Sequence, residues 1–152
     1  MSYRDEIQTQ MKEAMKAKDT IRLSTIRLIM AAIKDRDIAA RTKDQCQGCG
    51  DEMILDILAK MRKQREESVD IYEKAARLDL AERERAEIAV IASFMPKQMS
   101  QDELQTAARD VVEELQAAGL KDMGRCMGLL KQRYAGRMDF GKAGAALKAI
   151  LG

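Results

Sequence analysis

The chain has 152 residues, 46% hydrophobic and 34% charged, with a formal net charge of +2 and no histidine. A chain of this length can bury a core large enough to fold without a metal or disulfide. The missing histidine excludes His-dependent triads and histidine-ligated zinc hydrolase sites. A charge of +2 is also too small to argue by itself for a polyanionic partner.

Good helix formers dominate the composition, and β-branched residues are sparse, so the fold class expected is all-α. The first helix is predicted over about 2–16, where Ile7, Met11, Ala14 and Met15 fall at helical spacing. Asp19 reads as the N-cap of a second helix, Thr20 to about Arg41, with Leu23, Ile26, Ile29/Met30, Ile33 and Asp37/Ile38 inward. Residues 42–50 are polar, with two glycines and two cysteines, and read as a loop. A long helix follows from Asp51 to about Ala76. Its apolar stripe of Ile54, Ile57/Leu58, Met61, Ser68 and Tyr72 is interrupted by Arg65, which is expected to pair with an acid on a neighbouring helix. Arg22 and Arg27 invite the same reading. Asp79 is expected to cap a helix from Leu80 to about Phe94, with Ile88, Ile91 and Met95 inward.

Pro96, the one proline, must end a helix because it lacks an N–H and crowds the preceding residue. Ser100 and Glu103 then form a capping-box pattern that starts the next helix. This stop and restart divides the chain into an N-terminal helical domain, 1–95, and a small three-helix C-terminal domain, 96–152. In the second, Leu104, Ala107/Ala108, Val111/Val112 and Leu115 line one helix, which Gly119 is expected to end in a left-handed conformation. Asp122 starts a helix over Met123–Tyr134, Gly136 closes it, and Asp139 starts the last helix, Phe140–Leu151.

No uninterrupted apolar stretch approaches the roughly 18 residues that a membrane span needs, and residues 1–6 carry no apolar signal core. Three cysteines without disulfide spacing fit a reducing compartment. These features point to a cytoplasmic protein that does not meet a membrane; its oligomeric state is left open.

No phosphate-binding or dinucleotide glycine fingerprint occurs, and ordinary exposed helix acids account for the carboxylates. No catalytic residue, metal site or cofactor is therefore expected. Cys46 and Cys49 form a C-x-x-C pair, but with Cys126 the chain supplies one ligand too few for a zinc site unless two copies pool theirs. A polar loop that happens to hold two cysteines is the simpler reading.

From Met123 to Gly152 there are six basic residues and one acidic, a local charge of +5. Gly124 and Gly128 lie four apart on a predicted helix, where each glycine costs ~1 kcal/mol relative to alanine. Close packing between helices is one explanation. The other is bare backbone left open to a phosphate or RNA, with Arg125, Lys131, Arg133, Arg137 and Lys142 around it. Gly124, Arg125, Gly128, Lys131, Arg133, Arg137 and Lys142 are thus the candidate nucleic-acid-binding residues.

Five ordered blocks resemble the YqeY-like family: residues 22–27 (RLSTIR), 63–68 (KQREES), 94–100 (FMPKQMS), 122–128 (DMGRCMG) and 136–139 (GRMD). The resemblance implies an N-terminal helical domain followed by a C-terminal domain similar to the tail of the GatB subunit of the tRNA-dependent amidotransferase. In that enzyme the tail helps to hold tRNA, while ammonia production and amide transfer belong to other domains. The family label of carbon–nitrogen ligase activity with glutamine as amido donor thus fits the complex better than a single chain of this kind. What the resemblance implies is a tRNA-binding accessory protein. The alternative is a helical adaptor that docks a protein partner through its N-terminal domain. The cysteine-bearing segment 42–50 and Phe140 after Asp139 depart from the family pattern.

Overall fold

The computed structural model describes residues 2–41 and 50–152. Among them are seven α-helices and one short 3-10 turn, with no strand, as the composition predicts. The helices are α1 (Tyr3–Ala17), α2 (Thr20–Arg41), α3 (Asp51–Lys74), α4 (Leu78–Ser93), α5 (Gln101–Glu114), α6 (Met123–Tyr134) and α7 (Phe140–Leu151); the 3-10 turn, Leu120–Asp122, precedes α6. The chain divides into two compact units, Met1–Pro96 and Lys97–Gly152, each with its own hydrophobic core. The Cys46/Cys49 pair lies outside the described residues.

In the first unit, Ser2 caps α1 by accepting from the Asp5 N–H, and Lys18 ends it in the left-handed region at φ 56°. The Asp19 carboxylate accepts from the Arg22 N–H at 3.1 Å, as an N-cap should. The core is formed by Ile7 and Ala14 of α1, Ile26, Ile29 and Ile33 of α2, Ile54, Ile57, Leu58 and Met61 of α3, and Val90 and Ile91 of α4, with Phe94 just beyond. Three charged contacts tie the helices together at the rim. Arg4 grips Asp37 through two hydrogen bonds of 3.0 and 3.1 Å, Arg36 pairs with Asp56 at 3.0 Å, and the Tyr3 N–H donates to Asp51.

Beyond Met61 on α3, and before Glu87 on α4, Ala81 alone is buried. This stretch packs as a two-helix hairpin, linked by Arg85–Glu73 and tipped by the exposed Ile71 and Leu78. At its base the predicted partner of Arg65 is Glu87, 3.1 Å away, and Arg65 also donates to the Met61 carbonyl. Glu87 is 8% exposed and takes a second, longer contact from Arg83.

Several local expectations are corrected. Asp79 does not cap α4: the Ala81 N–H already bonds to the Arg77 carbonyl, so the helix starts at Leu78 and Asp79 sits in its first turn. There its negative charge faces the free N–H groups of the helix end. Ile38 is not inward but half exposed, a turn of about 100° away from Asp37, which faces Arg4. The Arg22 guanidinium pairs with no acid among the described residues; it donates to Gln10 and lies 5.7 Å from the Phe94 ring centroid. Arg27 is exposed and makes no ion pair with a described residue.

In the second unit the capping box is complete: Ser100 Oγ accepts from the Glu103 N–H, and Glu103 reaches back to the Ser100 N–H. That bond, followed by the Ser100 hydroxyl, holds the Glu103 carboxyl below its usual range. The left-handed residue after α5 is Gln116, at φ 51°, and not Gly119, whose backbone is extended. Leu115 and Ala117 both pack on the core, so the chain must turn between them. Asp122 does not cap α6 with its side chain; the carboxylate instead accepts from the Ala118 N–H at 2.9 Å. Gly136 closes the α6–α7 turn at φ 77°, and Asp139 caps α7 by accepting from Gly141 and Lys142.

Candidate nucleic-acid interface

α6 buries Cys126 and Leu130, with Met123, Met127 and Tyr134 half-buried beside them. The rest of the helix faces water. Gly124, Gly128 and Lys131 recur there at i, i+4 and i+7, so they share one side of a 3.6-residue helix. A Cβ built on Gly124 or Gly128 meets no atom within 4 Å. Close helix packing within this unit therefore does not explain either glycine. Both leave bare, exposed backbone on the outer surface.

The basic residues around this strip differ in freedom. Arg125, next to Gly124, is exposed and pairs with Asp122 at 3.0 Å. The Asp122 carboxyl lies below its usual range, first because of the Ala118 N–H and then because of Arg125. Lys131 is exposed, with its Nζ 6.0 Å from the Phe140 ring centroid on α7. Lys142 is exposed in the first turn of α7.

Arg133 and Arg137 do structural work. Arg133 reaches Glu114 on α5 at 2.6 Å, and this bond holds the Glu114 carboxyl below its usual range and the guanidinium above its own. Arg137 lies against the Tyr134 ring and donates to the Lys97 carbonyl, while its own carbonyl accepts from Met99. The structure thus brings Gly124, Arg125, Gly128 and Lys131 onto one face, and engages Arg133 and Arg137 in holding the unit together.

The charge tally from Met123 onward overstates the field, because two of its partners lie earlier in the chain. Over residues 97–152 there are nine basic and seven acidic groups, nine minus seven giving +2. Five of those acids lie on α5, so the charge is separated by helix rather than spread evenly. Of the two acids that matter, Asp122 stands three residues before Arg125 and is a local pair, whereas only the fold brings Glu114 to Arg133.

Burial pushes the Cys126 thiol up, which makes it a packing residue rather than a nucleophile. Among the described residues no cluster of cysteines and carboxylates is placed to hold a metal ion. No described helix is long and apolar enough to cross a membrane.

Comparison with known proteins gives a family and several relatives. The chain matches the family described as Yqey-like protein over residues 4–151. It is 31% identical over 141 residues to a Kluyveromyces lactis protein named "Altered inheritance of mitochondria protein 41, mitochondrial", which covers 91% of this chain and 70% of that protein. Its counterpart of the same name in Lachancea thermotolerans is 38% identical over 98 residues, 62% of this chain and 50% of that protein. The Candida glabrata protein is 34% identical over 109 residues, 70% and 58% respectively. The chain therefore matches between 50% and 70% of the length of these relatives. Their names correct the cytoplasmic expectation, since all three are called mitochondrial. The cysteine pattern on which that expectation leaned reports a reducing environment and does not identify a compartment.

Proposed function

The chain belongs to the YqeY-like family, and from that premise we propose that it is a non-catalytic accessory protein of tRNA metabolism that contacts tRNA through the outer face of α6. The second unit, on this reading, has the fold of the GatB tail and shares its task of holding tRNA. The observation that carries the reading is the pair of glycines, kept in a helix at a cost to its stability yet used in no internal packing. Bare backbone at Gly124 and Gly128 lets a sugar–phosphate chain approach the helix closely. Arg125, Lys131 and Lys142 then supply the positive charge. Arg125, itself exposed, can leave the half-buried Asp122 for a phosphate, because the Ala118 N–H still satisfies that carboxylate. A mitochondrial setting, carried over from the relatives' names, agrees with this, since protein synthesis there also consumes tRNA.

Three phosphate contacts predict a logarithmic salt slope on the order of −2 to −3. The test is retention of labelled total tRNA on filters across a salt series, with the full chain. Saturable, salt-sensitive binding that weakens about tenfold or more in the Arg125→Glu/Lys131→Glu double variant is expected. Binding equal to that of the unaltered chain, or none at low salt, refutes the reading.

A further inference from the structure

One helix face in the first unit is largely apolar on the side away from the core, Ser24 and Asp35 being its polar members. α2 buries Thr25, Ile26, Ile29 and Ile33. On its other side Ile21, Ser24, Leu28, Ala31, Asp35 and Ile38 alternate at spacings of three and four, the a/d repeat of a helix that packs lengthwise against another. The large members stand in water: Ile21 is 39% exposed, Leu28 46% and Ile38 50%. Ser24 does not interrupt the seam, because its hydroxyl already donates to the Ile21 carbonyl and covering it strands no polar group. Ser24 and Ala31 are also small enough to let a second helix come close.

The two flanks of this seam differ. Arg27 and Lys34 run along one, both exposed and neither in an ion pair with a described residue. Ala32 and Ala39 run along the other. On the basic side a groove of about 300 Å³ opens between α1 and α2, walled by Ile7, Met30 and Ile33 with Gln8 and the Arg4–Asp37 pair, and it shares Ala31 with the seam and Lys34 with its flank. Seam, groove and cations are thus one continuous surface.

We propose that this face of α2 docks an amphipathic helix of another protein. The occupant has an apolar seam broken by one donor opposite Asp35, acidic side chains on the flank that meets Arg27 and Lys34, and a bulky apolar residue that enters the α1–α2 groove. Charge separates this partner from a second copy of the chain. Antiparallel pairing of two copies sets Arg27 of one against Lys34 of the other. Parallel pairing stacks Asp35 on Asp35 and offers no acid to either cation. The inference stands on the first unit alone and is independent of the tRNA reading.

The test pans the full chain against a displayed library of helices with an apolar a/d seam and flanking positions varied among Glu, Gln and Lys. Glu-rich flanks are expected to be enriched. Their binding is expected to fall about tenfold or more in Leu28→Asp/Ile38→Asp. Neither residue belongs to the buried core, so that variant is expected to stay folded, with the unfolding midpoint lowered only by the lost helix propensity. Arg27→Glu/Lys34→Glu is expected to turn the selection toward Lys-rich flanks. No enrichment, enrichment indifferent to flank charge, or binding that survives Leu28→Asp/Ile38→Asp overturns the proposal. Sedimentation that finds a dimer of the free chain, made monomeric by Leu28→Asp/Ile38→Asp, assigns the face to a second copy and overturns it as well.

Discussion

Gly128 puts stability and the proposed function in opposition at a single position. It lies in the interior of α6, with nothing near the place where a methyl group would go. Alanine there is expected to raise the unfolding free energy by about 1 kcal/mol, read from urea denaturation. Gly124, in the first turn, should gain less. If bare backbone is what RNA needs, Gly128→Leu weakens tRNA retention while the helix grows no less stable, a pairing that a purely structural glycine would not give. The spacing of these glycines was visible in the sequence, but whether they pack or stand free was not. That depended on where α5 and α7 lie. The same limit applied to Arg133, whose acid is 19 residues away on another helix.

At the level of helices, the Arg65–Glu87 pair fixes how α3 runs against α4. The side chains are 15% and 11% exposed, so removing one partner strands the other in a poorly solvated place. Glu87→Ala is expected to destabilise the chain by about 2–4 kcal/mol, whereas Arg65→Met/Glu87→Met together should come close to neutral. Equilibrium unfolding of the two variants checks this. Arg65 was legible as a charge out of place in an apolar stripe. Helix positions were legible for the same reason, since α2 and α3 keep a helical apolar period over much of their length. Helix ends were less so. Asp79 and Gly119 are residues that cap helices elsewhere, and here the buried Ala81 and the packing of Leu115 moved the ends by two and by several residues. The outer seam of α2 escaped because a search for one buried face assigned Ile38 to the core. Two apolar stripes on one helix were the available signal.

At the scale of the whole molecule, each unit carries its own core, so each should respond to truncation on its own terms. A chain ending at Met95 is expected to keep its helical circular dichroism and lose tRNA retention entirely. Retention that persists in that truncation would move the RNA contact out of the second unit. The all-helical class followed from composition because few residues favour strands. The compartment did not follow, since sequence chemistry reports redox conditions that more than one compartment shares.

The hairpin of α3 and α4 carries a mechanical corollary. From residue 62 to the end of α3 at Lys74, the helix rises about 1.5 Å per residue, roughly 20 Å in all, with hardly any support from the core. Its root is clamped by Arg65 and Glu87, and Ile71 and Leu78 at its far end are exposed. Such an element works as a strut whose length can be edited. Adding or deleting matched turns in both helices would shift the tip by a known step without disturbing a single core contact. Reach in this protein is therefore a quantity that can vary independently of folding.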